Sequence, residues 1–177
     1  MNVNIKRLSP DAKIPQYAHA SDACFDLVAT EDVIIEPGET ALVKTGLAFE
    51  IPEGYEMQIR PRSGITLKTK LRVQLGTVDA GYRGEVGVIV DNIARNTAKR
   101  REVDVDINCP LLHIDGAPSN LYVFNNNAIY KIRKGDRIAQ AVIKPVEQAA
   151  FTEVTELGDS DRGAGGFGSS GVSRVHG

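Results

Sequence analysis

The sequence predicts an all-β domain, built as a sandwich or barrel of antiparallel strands. Three observations predict this class. Turn signals rich in glycine and proline recur roughly every ten residues. The short segments between them alternate apolar and polar residues, as half-buried strands do. No segment carries a helical stripe of apolar residues, and only Gly64 to Lys70 has room for a helical turn or two.

The first half of the chain supplies six strand-like segments. Proline and glycine punctuate them, for example at Pro37-Gly38 and at Pro52-Glu53-Gly54. Pro61 ends the sixth, because proline fixes φ and lacks a backbone donor. Five of the predicted strands cover residues 3–8, 33–35, 41–44, 47–51 and 55–60, and the other is a short strand to which small residues lead within 19–29.

The second half continues the pattern. Predicted strands cover residues 71–75, 85–90, 102–107, 111–114, 121–124, 129–132 and 138–143. The last is apolar almost throughout and is therefore expected at the centre of a sheet. Its polar exception is Gln140. A buried amide must find hydrogen-bond partners, and either the backbone or a bound ligand could provide them.

Composition excludes several classes of function. The 177 residues suit one domain, and a net charge of -2 with a pI near 5.9 argues against a nucleic-acid binder. No apolar run is long enough to span a bilayer, and the first residues lack the apolar core of a signal peptide. We therefore expect a cytoplasmic protein without nucleic-acid or membrane partners.

The cysteines and histidines do not form a metal motif. Cys24 and Cys109 lie far apart, and the three histidines, His19, His113 and His176, are scattered. A disulfide framework and a thiolate zinc site are both disfavoured. Any metal ion would sit on oxygen ligands, as Mg²⁺ does.

The nonapeptide Gly76 to Gly84 is the most distinctive stretch. Its sequence, GTVDAGYRG, places one carboxylate, Asp79, and one phenol, Tyr82, between strand-like flanks. The pattern predicts a hairpin turn that presents both side chains on a rigid scaffold. Taken alone, it is more typical of an ordinary turn with a capping aspartate.

Three other segments carry polar groups suited to a phosphate ester. Arg62, Ser63 and Gly64 offer a guanidinium fork, a hydroxyl and an unobstructed backbone N–H, although such a tripeptide is also common in polar surface turns. Asp22 and Asp26 bracket the start of the second strand. They are either a turn aspartate and a solvent-facing strand aspartate, or carboxylates that hold a metal-bound water or anchor the backbone. Residues 158–171 are rich in glycine yet retain Arg162 and Phe167. This tail cannot bury a core and is expected to be disordered in isolation.

These segments together resemble the five ordered motifs of the trimeric dUTPase family. The similar segments are ACFDL at 23–27, PRSGI at 61–65, GTVDAGYRG at 76–84, GDRIAQ at 135–140, and the arginine- and glycine-rich stretch from Arg162 to Gly171. The third and fifth are the most specific. The resemblance spans nearly the whole chain.

The resemblance implies a fold, an assembly and a reaction. The fold would be a distorted jelly-roll β-sandwich, with one domain over 1–157 and a flexible C-terminal arm over 158–177 that closes the active site. The assembly would be a homotrimer with active sites between subunits. The reaction would be Mg²⁺-assisted hydrolysis of dUTP to dUMP and pyrophosphate, which limits uracil incorporation into DNA and supplies dUMP for thymidylate synthesis.

The resemblance also assigns roles to residues. Asp79 would orient the attacking water, with Ser63 and Gln140 completing the catalytic set. Tyr82 would pack under the deoxyribose, and Asp26 would hold a water on Mg²⁺. The remaining implied substrate-binding residues are Arg62 and Gly64 for phosphates, Gly76, Thr77 and Val78 for uracil, and Arg162, Phe167, Gly168, Ser169 and Ser170 of the arm.

The chain departs from the family pattern at three places. Cys24 and Phe25 stand where the family usually has Gly-Tyr, and Val73 stands where many members have an asparagine. The segment 92–127 is longer than the usual connection. It resembles the insert of some phage and Gram-positive members, which implies a surface β-hairpin and a regulatory protein as partner.

Two alternatives to a pure dUTP diphosphatase follow from the same residues. dCTP deaminases share the fold, but the resemblance to them weakens at the arm. A phage-type dUTPase would combine catalysis with regulatory protein binding through the insert.

Overall fold

The computed structural model describes residues 1–95, 108–124 and 128–166, with side chains of 108–110 and 119–124 left aside. Strands dominate these residues, and one short helix, α1 (Ser63–Lys68), lies where a helical turn is predicted. The strands are β1 (Asn4–Arg7), β2 (Phe25–Val28), β3 (Val33–Ile35), β4 (Thr40–Lys44), β5 (Leu47–Glu50), β6 (Tyr55–Arg60), β7 (Leu71–Val73), β8 (Gly76–Asp79), β9 (Gly87–Asn92), β10 (Asn108–His113), β11 (Pro118–Phe124), β12 (Tyr130–Ile132) and β13 (Arg137–Pro145). The all-β prediction is confirmed.

The strands form four small sheets. Their orders are β1-β5, β11-β10-β12-β3, β2-β13-β6-β8 and β4-β9-β7. All pairs are antiparallel except β10 with β12. Strand β13 is central in its sheet, as its apolar sequence predicts.

The sheet β2-β13-β6-β8 has one apolar and one polar face. Leu27, Ala141, Met57 and Val78 point into the core, each less than a tenth exposed. The residues next to them in sequence point outward, because successive side chains in a strand alternate between faces. This polar face carries four of the predicted site residues, Asp26, Thr77, Asp79 and Gln140.

The predicted hairpin around the nonapeptide is only partly correct. Strands β7 and β9 do pair, with Val73 opposite Val90. Between them, however, the chain leaves this sheet and forms β8, which pairs with β6 in the next sheet. The first four residues of the nonapeptide are therefore an edge strand, and Asp79 is its last residue.

The described part of the 92–127 segment contains an antiparallel hairpin of β10 and β11, with Asn108 opposite Phe124. It is not confined to the surface, because Leu111 and Ile114 are buried. The predicted strand 102–107 and the predicted turn 125–127 lie outside the described residues.

From Gln148 onward the chain forms a second unit, separate from the unit Met1–Glu147. In its described part, Arg162 lies in a turn in which the backbone N–H of Gly163 donates to the carbonyl of Ser160 at 3.0 Å. Within the described residues, the model contains no helix long and apolar enough to cross a membrane.

An ion pair links the β2–β3 loop to β12 and gives a pH-dependent contribution to stability. Lys131 Nζ lies 2.5 Å from Asp32 Oδ2, and the Lys134 backbone N–H donates to Oδ1 at 2.8 Å. The Lys131 ammonium, followed by the Lys134 amide, lowers the pKa of Asp32 below its usual value.

A carboxyl whose pKa is lowered by folding stabilises the protein above its ordinary pKa, and this contribution is lost as the pH falls through the lowered value. We expect Asp32→Asn to reduce the thermal midpoint slightly at pH 7, because the pair is exposed. The difference from the unsubstituted protein should disappear at a pH low enough to protonate Asp32. Thermal unfolding at both pH values measures this, and a difference that persists in acid would contradict it.

Candidate active site

A cleft of about 580 Å³ lies where β2, β13 and α1 meet. Strand β6 ends beside it at Arg60, and Pro61 turns the chain into α1. The residues that line it are largely polar and include three cations. They are Ala18, His19, Asp22, Ala23, Cys24, Asp26, Arg62, Ser63, Gly64, Ile65, Lys68, Ile114, Asp115, Arg137 and Gln140. Five predicted site residues therefore share one cleft.

Asp26 holds two arginines at this cleft. Its Oδ1 lies 3.0 Å from Arg62 Nε, and its Oδ2 accepts from Arg137 Nη1 at 3.2 Å. Arg62 Nη1 also donates to the Arg137 carbonyl at 2.9 Å. A guanidinium has five N–H donors, so Arg62 keeps three for a ligand. The cleft thus offers fixed cationic forks to an anion.

Ser63 and Gly64 open α1 at the wall of the cleft. No side chain caps this end of the helix, and the first backbone N–H groups of a helix have no partner within it. A Cβ on Gly64 would meet nothing within 4 Å. The chain's own packing therefore does not require glycine here, whereas close approach of a ligand to the backbone does.

Gln140 is compatible with both interpretations that its sequence context left open. It lies on β13, directly opposite Asp26 on one side and Arg60 on the other. Its Nε2 donates to the Pro61 carbonyl at 2.8 Å, which is the backbone partner expected of a structural amide. The side chain also lines the cleft, so its oxygen and second N–H remain available to a ligand.

Asp79 and Tyr82 do not line this cleft. Asp79 is opposite Glu56 in the β6–β8 pair, and Arg60, which is opposite Gln140, lies four residues further along β6. Asp26 and Asp79 share the polar face but sit on the two outer strands of the sheet. Four residues along a strand and three strand spacings across a sheet amount to about 20 Å. One chain therefore separates its predicted residues into two groups.

Tyr82 is held against its own loop. Its hydroxyl donates to the Glu85 carbonyl at 3.0 Å, and its backbone N–H donates to the Asp79 carbonyl at 3.1 Å. A Cβ on Gly84 would lie 2.4 Å from Tyr82 Oη and 2.6 Å from Cζ. Gly84 therefore leaves the space in which the ring lies, while about half of the side chain stays exposed.

Gly76, Thr77 and Val78 of the nonapeptide lie on β8, at the edge of the sheet. Strand β8 is outermost, so alternate backbone N–H and C=O groups of Thr77 and its neighbours are free to pair with a ligand edge. Val78 is buried in the core. Gly76 lies against Ile59, whose Cβ would be 3.3 Å from an added Cβ, so packing explains that glycine.

The departures from the family pattern have clear locations. Phe25 is buried, stacks on Phe49 with ring centroids 6.4 Å apart, and meets Tyr17 edge to face. Val73 is also buried and cannot reach a ligand. Cys24 alone lines the cleft.

The carboxylates at the cleft suit a metal ion that is bound mainly by the phosphates of a substrate. Among the described residues, no group of three or more histidine, cysteine or acidic side chains could hold a metal. A carboxylate has about four lone-pair sites, and the arginines use two of those on Asp26. Mg²⁺ typically keeps several waters and is bound through one or two carboxylates plus substrate phosphates. Asp26 therefore fits a water-mediated contact to Mg²⁺.

Sequence reasoning missed several residues of the cleft. Arg137 lies in the segment 135–140. Its positive charge near Gln140, which was predicted to bind phosphates, is a signal that could have identified it. Lys68, Ile114 and Asp115 gave no such signal, because only the tertiary fold brings them there. Arg162 lies in the second unit, and Phe167, Gly168, Ser169 and Ser170 lie outside the described residues.

The fold and the cleft define an all-β protein with a polar, arginine-lined cleft that is suited to a phosphate ester. The family model for dUTPase matches residues 10–103 and 113–171. The chain belongs to the dUTPase family.

Curated relatives agree with the family match over most of the chain. The deoxyuridine 5'-triphosphate nucleotidohydrolase of Thermobifida fusca is 47% identical over 97% of this chain and 79% of its own length. The protein of the same name from Nautilia profundicola is 44% identical over 97% of this chain and 99% of its own.

Solved structures of phage dUTPases share the fold. The dUTPase of Staphylococcus bacteriophage 80alpha with dUPNHPP has a TM-score of 0.87 and 36% identity, covering 97% of this chain and 99% of that one. Phage dUTPases, of which this is one, are described as controlling transfer of virulence genes. A mutant dUTPase of phage phi11 of S. aureus, described with a structural Mg(II) ion, has a TM-score of 0.78 and 33% identity, covering 88% and 98%.

Proposed function

We propose that this chain hydrolyses dUTP to dUMP and pyrophosphate by attack of water at the α-phosphorus. The observation that carries the proposal is the cleft in which Asp26 fixes Arg62 and Arg137 beside the exposed start of α1. Family membership supplies the nucleotide. In the cell, the reaction would limit uracil incorporation into DNA and supply dUMP for thymidylate synthesis in the cytoplasm.

The cleft would hold the triphosphate. Arg62 and Arg137 offset the charge on the phosphate oxygens, which otherwise repels a nucleophile. The Ser63 hydroxyl and the Gly64 N–H would donate to the phosphates near the scissile bond. The free N–H of Gln140 would also donate to the phosphates. Because phosphoryl transfer needs little covalent help, positioning and electrostatics by these groups carry most of the catalysis.

Mg²⁺ would be the cofactor, bound by the phosphates and held through water by Asp26. When bound, it would neutralise phosphate charge and fix the triphosphate conformation. The pairing of Asp26 with both arginines supports this, because it leaves the carboxylate in place beside the phosphate groups.

The nucleoside would meet the β8 edge. Thr77 and its backbone neighbours, Gly76 and Val78, would pair with the uracil edge. Tyr82 would pack under the deoxyribose and leave no room for a 2′-hydroxyl. Asp79 would accept a proton from the attacking water and orient it toward the α-phosphorus.

A homotrimer would assemble the site. Two groups about 20 Å apart in one chain cannot both reach the α-phosphorus, so the Asp79 group of one copy must meet the phosphate cleft of another. An exposed apolar pair, Leu42 and Ile89, faces outward from paired positions on β4 and β9 and is suited to contact between copies.

The arm, residues 158–177, would close the site when substrate binds. Arg162 would grip the γ-phosphate with Ser169 and Ser170, while Phe167, beside Gly168, would stack on uracil. Aromatic stacking on a base is worth about 1–3 kcal/mol at single-stranded nucleic-acid sites. Closure would also exclude bulk water from the reaction.

Pyrophosphate release from dUTP, dCTP, dTTP and UTP in the presence of Mg²⁺ tests the proposal. We expect turnover of dUTP alone, sensitive to removal of Mg²⁺ by a chelator. Release of ammonia from dCTP would instead identify a deaminase and overturn the proposal.

The proposed packing of Tyr82 under the deoxyribose predicts a large effect of a small substitution at Gly84. A methyl group at position 84 must displace the Tyr82 ring, so Gly84→Ala should raise KM for dUTP and reduce the preference for dUTP over UTP. A displacement of about 1 Å can cost up to about a hundredfold in rate. Steady-state kinetics with both nucleotides measure the change.

Gly81→Ala is the matched control, because an added Cβ there meets nothing within 4 Å. It should retain the dUTP preference of the unsubstituted chain. An unchanged preference in Gly84→Ala would show that Gly84 does not set the ring position.

A regulatory role is the second candidate function. The similarity to phage 80alpha dUTPase, described as controlling virulence-gene transfer, favours it, as does the long segment 92–127. The insert would bind a regulatory protein, such as a repressor. Replacing Lys99, Arg100 and Arg101 with alanine should then abolish release of the repressor from operator DNA while dUTP turnover persists. Failure of the unsubstituted chain to release candidate repressors would contradict this role.

A further inference from the structure

The turn at the tip of β10 and β11 reaches the phosphate cleft. Ile114 and Asp115 line the cleft together with Ser63 and Gly64, although they are about fifty residues away in sequence. Three hydrogen bonds fix the turn. The His113 N–H donates to the Ala117 carbonyl, the Gly116 N–H donates to the His113 carbonyl, each at 2.8 Å, and Asp115 Oδ1 accepts from the Ala117 N–H at 2.9 Å.

Gly116 lies directly against α1. Its φ is +81°, and an added Cβ would be 2.8 Å from the Lys68 carbonyl oxygen, which belongs to the last residue of the helix. This neighbour is backbone and cannot move aside like a flexible side chain. A substituent at position 116 must therefore push on the helix whose first residues, Ser63 and Gly64, face the cleft.

The neighbouring structure also fixes the surroundings of α1. Ile114 and Ile65 of the helix both belong to the buried core and both line the cleft. Strand β10 runs parallel to β12, where the Tyr130 hydroxyl accepts from the Lys70 N–H at 2.9 Å, just after the helix ends. The helix is thus held by the turn at its C-terminal end and by the neighbouring strand beyond it.

We propose that the β10–β11 turn, residues 113–117, is a positioning element of the phosphate site. It holds α1 so that Ser63 and Gly64 keep their places at the cleft, and the turn therefore contributes to phosphate binding. This inference rests on the proposed function for its ligand, a pyrophosphate group. It also means that deleting the whole segment 92–127 would disturb the site as well as any partner surface.

The test compares Gly116→Ala with Gly54→Ala in the full chain. Both glycines have φ near +80°, so both substitutions strain the backbone to a similar degree, but a Cβ at position 54 meets nothing within 4 Å. We expect Gly116→Ala to weaken binding of inorganic pyrophosphate and raise KM for dUTP about tenfold, since a shift of about 1 Å has effects of this order or larger. Gly54→Ala should leave both constants within about twofold while its thermal midpoint falls.

Calorimetric binding of pyrophosphate separates this inference from the proposed function. An unsubstituted chain that binds pyrophosphate without hydrolysing dUTP would refute the function alone. Equal pyrophosphate affinities in Gly116→Ala and Gly54→Ala would refute the inference alone.

If Gly116→Ala does not fold, Ile114→Val and Ile129→Val form the second comparison. Both isoleucines are buried in the same part of the chain, yet only Ile114 lines the cleft. Weaker pyrophosphate binding in Ile114→Val alone supports the proposal. Equal effects in both variants overturn it.

Discussion

Asp79→Asn is expected to reduce dUTP turnover by about a thousandfold, within the range of positioned acid–base catalysis. The amide has the shape of the carboxylate but cannot accept the proton of the attacking water. Asp79 is exposed at the end of an edge strand, and its side chain takes part in no hydrogen bond among the described residues. The fold and the assembly should therefore be unaffected. Steady-state turnover and size-exclusion chromatography with light scattering measure the two properties.

Glu53→Gln is a suitable control for loss of one surface carboxylate, because Glu53 is exposed in the turn before β6. It should turn over dUTP at the unsubstituted rate. If Asp79→Asn retained a tenth or more of the activity, another group would have to activate the water. Loss of the trimer in Asp79→Asn would instead indicate a structural role for the carboxylate.

Local patterns predicted most of the fold. The alternation of 55–60 and the apolar run of 138–143 identify β6 and β13, and the second also indicates a central position, which the sheet order confirms. Such patterns work because each strand of a two-faced sheet must present its apolar residues to one side. The short helix was also predictable, since only Gly64 to Lys70 had room for a helical turn or two.

Long-range pairing was not predictable in the same way. Residues 71–90 look like one hairpin, but β8 pairs with β6 in a different sheet. Nothing in the local sequence shows this, because the choice of neighbour depends on which core face Val78 completes. The contact of Gly116 with α1 has the same origin, since a glycine at a turn gives no sign of what lies beside it.

The candidate site was predictable as a set of segments rather than as a geometry. The residues Asp26, Arg62, Ser63, Gly64 and Gln140 meet in one cleft, although their roles come from resemblance. Spacing along the chain gave no sign that Asp79 lies about 20 Å from Asp26 in the same chain. This separation makes contact between at least two copies of the chain a geometric requirement of the proposed mechanism, which the expected homotrimer would meet.

Mixing two inactive variants should restore activity if that requirement is correct. Asp79→Asn lacks the water-activating group but keeps the phosphate cleft, whereas Arg62→Ala has the reverse defect. In randomly mixed trimers, a site works only when the cleft comes from one variant and Asp79 from the other. In a closed ring this holds for about one quarter of sites, so we expect about a quarter of the unsubstituted turnover. The measurement is turnover after joint unfolding and refolding of equal amounts.

Each variant refolded alone should stay inactive, and the two proteins mixed without unfolding should gain activity only as fast as subunits exchange. A double variant carrying Asp79→Asn and Arg62→Ala, mixed with the unsubstituted chain, gives the converse control. There too a site needs both contributing chains to be unsubstituted, so about a quarter of sites work. If jointly refolded single variants showed no activity although mixed trimers formed, both groups would have to act within one chain. The proposal of a site shared by two copies would then be wrong. The distance of about 20 Å between Asp26 and Asp79 would instead have to close by a rearrangement within one domain.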